Sequence, residues 1–94
     1  MARAQAITDI LIDYLRESGL EKPLLERQVL ESWPEVVGPV TARMTAKLEI
    51  KDGTLLVRIN SSLLRSQLFE IRFTIVDRLN EKVGGKIVKD LRFI

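Results

Sequence analysis

Residues 46–60 read AKLEIKDGTLLVRIN, and this stretch decides the fold. Apolar side chains occupy alternate positions on both sides of its central Asp52-Gly53 pair. Such alternation is typical of strands with one buried face, and an Asp-Gly pair supplies the two positive φ angles of a type I′ turn. The sequence therefore predicts a β-hairpin with strands over residues 46–51 and 54–60.

Three helices are predicted from apolar residues that recur at three- and four-residue steps. They span residues 4–18, 23–33 and 61–83. Ser61 or Ser62 is suited to cap the start of the third helix, and Gly84 is suited to end it in a left-handed conformation. The apolar line of that long helix is Leu64, Leu68, Ile71, Ile75 and Leu79.

Proline and glycine divide the segment that precedes the hairpin. Because the residue before a proline avoids the helical region, we expect the second helix to break at Trp33, with Pro34 opening a new turn and Gly38 marking a second break. Trp33 is more typical of a core anchor than of a base-stacking ring. The predicted structural residues are Trp33, Pro34, Gly38 and Gly53.

A third strand is predicted over residues 86–93, where Ile87, Leu91 and Phe93 are apolar. The fold class is then α+β in one domain over residues 1–94: two helices, a hairpin, a long helix and a last strand, with all helices on one face of a three-stranded sheet. An antiparallel sheet in the order 2-1-3 is preferred. Parallel pairing of the third strand with the second is the alternative.

The composition excludes several classes of protein. The 94 residues contain no cysteine and no histidine, which removes disulfides, thiolate and imidazole metal ligands, and catalysis by a nucleophile with a histidine base. No apolar run approaches the roughly 18 residues of a membrane span. We therefore expect a cytoplasmic protein that is not an enzyme, with no metal, no cofactor and no membrane partner.

Charge is distributed unevenly along the chain. Residues 1–40 hold four basic and seven acidic groups, a net −3, whereas residues 41–94 hold eleven basic and six acidic groups, a net +5. If the two halves form separate surfaces, the basic one suits phosphate groups. The alternative is an asymmetry that serves solubility only.

Five short motifs follow one another from the second helix to the last strand. They are Trp33-Pro34-x-Val36-Val37-Gly38, Asp52-Gly53-Thr54-Leu55-x-Val57, Ser61-Ser62 with Leu64 and Leu68, Leu79-Asn80 with Val83-Gly84, and Leu91-Arg92-Phe93. In this order and spacing they resemble the DciA family, from about Leu20 to the last residue. The resemblance implies a K-homology-like fold and a role in loading or assisting a replicative helicase of the DnaB type.

The net +5 of the C-terminal half predicts weak binding of single-stranded nucleic acid. Many members carry a basic C-terminal tail, which these 94 residues lack, and the Gly-x-x-Gly loop of K-homology domains is absent from the sequence. We therefore expect micromolar or weaker affinity. The alternatives are a stand-alone K-homology-like RNA- or DNA-binding protein and a domain that binds only proteins.

Basic side chains of the C-terminal half are the predicted nucleic-acid contacts. They are Arg58, Arg65, Lys86, Lys89 and Arg92. Arg65 and Arg72 share one sector of the long helix. Their stems either lie along the core edge, with the heads in solvent or paired to a carboxylate such as Asp90, or join an anion-binding ridge. Most of the few aromatic residues fall on core-facing positions.

Acidic residues of the first helix are the predicted contacts with the helicase. Asp9, Asp13 and Glu17 lie beside its hydrophobic stripe, which the core uses only in part. An apolar edge with charged flanks is typical of a docking surface. Asp9 and Asp13 alone are far more typical of a solvated helix face than of a cation site.

Overall fold

The computed structural model describes Ile10, Leu11, Asp13, Tyr14 and residues 17–94. Residues 21–94 form four helices and three strands, an α+β fold as predicted. The helices are α1 (Glu21–Val37), α2 (Pro39–Arg43), α3 (Ser62–Glu70) and α4 (Arg72–Val83), and the strands are β1 (Thr45–Lys51), β2 (Thr54–Ile59) and β3 (Asp90–Phe93). The predicted helix over residues 4–18 lies mostly outside the described residues; those described within it up to Glu17 are helical.

The hairpin has the predicted geometry. Asp52 and Gly53 have φ angles of 52° and 80°, both positive as a type I′ turn requires. Lys51 pairs with Thr54 across the turn, and the antiparallel register continues through Leu48, which pairs with Val57. A bulge between Thr45 and Lys47 shifts the register at the far end. Leu48 and Ile50 of β1 therefore share one face with Leu55 and Val57 of β2, whereas Leu56 pairs with Glu49 on the other face.

The strand order is β1-β2-β3, with β3 parallel to β2, so the preferred 2-1-3 antiparallel order was wrong. The chain leaves β2 at its C-terminal end, crosses through α3 and α4, and returns to the end where β2 begins. There the backbone N–H of Lys89 donates to the carbonyl oxygen of Gly53 at 2.8 Å. This contact starts β3 beside Thr54, and Leu91 aligns with Leu55.

The predicted break at Trp33 was also wrong, because α1 runs through Pro34 and ends at Gly38. A proline removes one helical hydrogen bond without requiring the helix to end. Trp33 is 2% exposed, and its indole lies in the core against β1. Gly38, with φ 90°, makes the turn into α2, whose first residue is Pro39. Tertiary packing of Trp33 therefore outweighs the local preference of the residue before a proline.

The long helix predicted over residues 61–83 is divided at Ile71. Ile71 donates its backbone N–H to Leu68 at 3.1 Å, a tighter turn than that of an α-helix, and its side chain is exposed. The Arg72 guanidinium donates to the Phe69 carbonyl at 2.8 Å, which occupies an acceptor of the helical ladder. Ser61 caps α3 by accepting from the Leu64 N–H, and Gly84 ends α4 in the left-handed region.

The third strand is shorter than the predicted 86–93. Residues 86–89 lie outside the strand, and two of them, Ile87 and Val88, are held by the side chain of Asn80. Its Oδ1 accepts from the N–H groups of Ile87 and Val88, and its Nδ2 donates to the Val88 carbonyl. A side chain that satisfies the backbone in this way replaces the hydrogen bonds of a ladder.

One hydrophobic core lies between the helices and the apolar face of the sheet. Its buried side chains come from α1, α3, α4, alternate positions of β2, β3 and the segment before β3. They are Val29, Trp33, Leu55, Val57, Ile59, Leu68, Ile75, Val76, Leu79, Val88 and Leu91. The other sheet face bears charged and partly exposed residues, as expected when the helices cover one face.

Candidate nucleic-acid and partner interfaces

The structure distributes the predicted basic residues over three surfaces. Lys86 and Lys89 lie beside the hairpin turn, Arg65 and Arg92 lie along β3, and Arg58 projects from the outer face of the sheet. A single ridge that joins all five is therefore not formed. Each surface has its own chemistry.

The first surface, which we call the lysine hollow, surrounds the hairpin turn. It has a volume of about 410 Å³ and is lined by Lys22, Asp52, Gly53, Lys86, Ile87 and Lys89. Gly53 is buried, and a Cβ atom there would lie 3.2 Å from Cδ of Lys89, so the Lys89 side chain covers the turn. None of the three ammonium groups is ion-paired with a described residue, which leaves them available to an anion.

The second surface, the β3 groove, lies between α3 and the edge strand β3. Its volume is about 680 Å³. Lining residues come from α3 (Ser62, Arg65, Ser66, Phe69), from Arg72 at the start of α4, and from all four residues of β3. The Arg65 guanidinium has no hydrogen-bond or ion-pair partner among the described residues, whereas Arg92 Nε lies 3.6 Å from Asp90 Oδ2.

The Arg72 guanidinium lies against two phenyl rings within this groove. Its guanidinium carbon lies 4.0 Å from the Phe69 ring centroid and 4.4 Å from that of Phe73, both within the range of cation–π attraction. The same guanidinium donates to the Phe69 carbonyl oxygen. Asp90 pairs with Arg92 and not with Arg72, so the predicted carboxylate partner of Arg72 is replaced by two phenyl rings.

The exposure of the aromatic residues differs most from the sequence-based expectation. Phe69 and Phe73 are 51% and 61% exposed, and Tyr14 is exposed as well, so the expectation that most aromatic residues face the core was wrong. The spacing of the two phenylalanines in the sequence could have predicted their exposure. Phe69 and Phe73 are four residues apart and out of phase with Leu68 and Ile75, which are buried.

The third surface is the outer face of the sheet. Lys47 lies directly opposite Arg58 across the β1–β2 pair, and Lys47 Nζ is 3.8 Å from Glu49 Oε1. Like charges placed opposite each other are unfavourable unless a counter-charge intervenes. Arg58 has no such partner among the described residues, so this face carries a basic group that is open to solvent.

The predicted acidic contacts lie at the other end of the chain. Asp13 and Glu17 are exposed and helical, and Asp9 lies outside the described residues. Ile10, Leu11 and Tyr14 are also exposed, between 55% and 68%. Apolar and acidic side chains therefore lie side by side on the described part of this helix, outside the core.

The described residues offer no metal site and no helix that could span a membrane. No group of three or more acidic, cysteine or histidine side chains comes together there as a metal site would require. None of the described helices is both long and apolar enough to cross a bilayer.

The pKa of Glu35, away from these surfaces, is lowered by its hydrogen bond to Lys82 and by the charge of that lysine.

Fold and surfaces together define a small α+β domain with basic hollows beside the hairpin turn and along β3. Residues 6–93 match the family described as "Dna[CI] antecedent, DciA". A UPF0232 protein of Corynebacterium glutamicum (strain R) is 28% identical over 89 residues, which cover 95% of this chain and 50% of that protein. The chain belongs to the DciA family, and it spans about half the length of this curated relative. The family is associated with loading of the DnaB-type replicative helicase.

Proposed function

We propose that this protein is a DNA-replication accessory factor of the cytoplasm that binds a DnaB-type replicative helicase and, weakly, single-stranded nucleic acid. It acts by binding and not by catalysis. The family match over residues 6–93 is the observation that carries the proposal. The exposed acidic and apolar residues of the first helix and the residues of the basic hollows are different sets, which supports two binding surfaces, one for each partner.

Nucleic acid is assigned to the lysine hollow, with Arg58 on the outer face of the sheet as a further contact. Arg65 and Arg92, which the sequence also predicts as contacts, line the β3 groove and are not assigned to nucleic acid. Ammonium groups on flexible stems bind phosphates as point charges and read no base sequence. Purely electrostatic contacts of this kind give dissociation constants of roughly 10⁻⁴ to 10⁻⁶ M at physiological salt. We therefore expect weak, sequence-independent binding.

Helicase binding is assigned to the first helix, through Asp13, Glu17 and the exposed apolar residues between and before them. Acidic groups at the rim of an apolar contact raise the association rate through steering and add specificity. Reversal of both charges in D13K/E17K is expected to weaken binding and slow association. The fold is expected to persist, because exposed substitutions usually change stability by about 0.5 kcal/mol or less.

A salt series distinguishes the proposed function from its alternative, a stand-alone K-homology-like nucleic-acid-binding protein. The 94-residue chain is titrated against a DnaB-type helicase and against a single-stranded oligonucleotide at several salt concentrations. Phosphate binding weakens with a slope of about −0.7 per neutralised phosphate, whereas apolar docking is much less sensitive. Helicase binding that persists at high salt while oligonucleotide binding disappears supports the proposal; oligonucleotide binding with no helicase binding supports the alternative.

A further inference from the structure

We propose that the β3 groove binds an extended acidic peptide segment of a partner protein, which adds to the sheet as a fourth strand beside β3. The proposal concerns the free edge of the sheet and does not depend on which protein supplies the segment. It goes beyond the helicase and nucleic-acid binding proposed above, and it can fail while they hold.

Among the described residues no strand pairs with the outer edge of β3, so the outward main-chain groups of this edge face the groove. In the order β1-β2-β3, strand β3 is the last strand. Asp90 and Ile94 donate their N–H groups towards β2, to Gly53 at 3.4 Å and to Val57 at 2.9 Å. Because alternate residues of a strand bond to opposite sides, Leu91 and Phe93 direct their N–H and C=O groups away from β2. An extended peptide beside β3 would meet these groups.

One of these outward groups already has a carboxylate oxygen as its acceptor. Asp90 Oδ1 accepts the Leu91 N–H at 2.8 Å, where the carbonyl of an added strand would accept it. A charged residue that protects a short edge strand in this way prevents indiscriminate pairing. Rotation of the Asp90 side chain would free the Leu91 N–H, so the edge remains able to pair with an added strand.

The groove has space and charge for an acidic strand. Its volume of about 680 Å³ lies within the range of binding pockets, roughly 300 to 1,000 Å³. Arg65, Arg72 and Arg92 line it against the single carboxylate of Asp90, a net charge of +2. Arg65 is the guanidinium without a described partner. An incoming carboxylate would complete its hydrogen bonds.

The same geometry favours a peptide over a nucleic-acid strand. Arg72 is committed to the Phe69 carbonyl and to the two phenyl rings, which each lose one face to it. A phosphodiester backbone has no alternating N–H and C=O groups with which to pair with the edge of β3. An extended peptide presents same-side groups every two residues, about 6.6 Å apart, the spacing of Leu91 and Phe93 along β3.

A defined peptide tests the proposal on the intact 94-residue chain. The probe is an acetylated, amidated eight-residue peptide in which glutamate and valine alternate. Its control has the same sequence with N-methyl groups on alternate residues, which removes main-chain hydrogen bonds and keeps the charge. We expect saturable binding of the probe, with amide NMR shifts centred on Leu91 and Phe93, and at least tenfold weaker binding of the methylated control.

Three variants separate the groove from general charge effects. R65E is expected to weaken probe binding at least tenfold, and the affinity of R65Q should lie between those of the wild type and R65E. R78E makes the same change in net charge as R65E, on the exposed surface of α4, and should leave probe binding unchanged. Circular dichroism checks that each variant is folded. Equal binding of the methylated peptide overturns the proposal. So does an oligonucleotide that shifts the Leu91 and Phe93 amides when the peptide does not.

Discussion

The indole of Trp33 donates from Nε1 to Oγ1 of Thr45 at 3.0 Å, and the same hydroxyl donates to the Thr41 carbonyl at 2.7 Å. One threonine therefore satisfies a tryptophan donor from α1 and a carbonyl oxygen of α2 at the start of β1. A buried aromatic ring with a polar atom needs such a partner. The Trp33–Thr45 hydrogen bond joins α1 to the first residue of β1, where the chain enters the sheet.

Replacement of that hydroxyl tests its contribution to stability. T45V keeps the shape of the side chain but leaves the Trp33 N–H without its acceptor, whereas the Thr41 carbonyl still accepts the Met44 N–H at 3.1 Å. The unfolding free energy is expected to fall by about 1 to 3 kcal/mol, the cost of an unsatisfied buried group. Urea denaturation measures it. T74V, on the exposed face of α4, is the matched control and should change stability by about 0.5 kcal/mol or less.

Asn80 is predicted to hold the segment that leads into β3. N80A removes three hydrogen bonds to Ile87 and Val88, each contributing roughly 1 kcal/mol, and regains about 0.5 kcal/mol of helix propensity. A decrease of about 2 to 3 kcal/mol in unfolding free energy is expected in chemical denaturation, together with faster amide exchange at both residues. Q67A, an exposed amide on α3, should have little effect. Unchanged exchange at Ile87 and Val88 would show that the loop holds its shape without Asn80.

Stability should depend on pH through the ion pair that joins α1 to α4. Lys82 Nζ lies 2.7 Å from Glu35 Oε2, and this bond lowers the pKa of the Glu35 carboxyl below its usual 4.5. A carboxyl with a lowered folded-state pKa stabilises the protein above its unfolded pKa, and that stabilisation is lost as pH falls through the folded value. The contribution is small because both groups are exposed.

The variant E35Q isolates this contribution. The stability difference between wild type and E35Q, measured in urea from about pH 7 to about pH 2.5, should shrink as the pH falls below about 4.5. E31Q is a useful comparison, since Glu31 pairs with Arg27 within α1 and joins no second helix. A difference that grows towards low pH would contradict the assignment of the ion pair.

Nucleic-acid binding should depend on the lysine hollow more than on total charge. K86E/K89E is expected to reduce affinity for a single-stranded oligonucleotide and to lower the salt slope by about 0.7 for each phosphate that is no longer neutralised. R43E/R78E makes the same change in net charge at two exposed arginines that do not line the hollow. Fluorescence anisotropy over a salt series compares the two. An equal decrease in affinity for both variants would mean that binding is spread over the surface.

The sequence predicted the features that depend on neighbouring residues. The Asp52-Gly53 turn, the Ser61 cap and the Gly84 helix end each follow from a local backbone preference that nothing in the fold opposes. Features that depend on distant contacts were missed. Trp33 packs in the core, and α1 therefore continues past Pro34. The Asn80 side chain bonds to residues seven and eight positions later, and the last strand is shorter as a result.

The candidate binding surfaces likewise depend partly on local sequence and partly on distant contacts. Sequence alone identified the basic residues, but strand order decides which of them meet. Parallel pairing of β3 with β2 places Arg92 opposite α3 and its Arg65 across a groove, and it places Lys89 over Gly53. An antiparallel third strand beside β1 would have separated these residues. The stack of Arg72 between Phe69 and Phe73 depends on the helix break at Ile71, which no periodicity predicts.

Sedimentation velocity tests the central claim, that this chain binds a DnaB-type helicase, most directly. The 94-residue chain is mixed with the helicase at physiological salt without nucleic acid, and the boundary of the small protein is followed. We predict that part of the chain sediments with the helicase, in an amount that saturates and is reduced by D13K/E17K. A chain that sediments alone at every helicase concentration, while it still binds a single-stranded oligonucleotide, would contradict the claim.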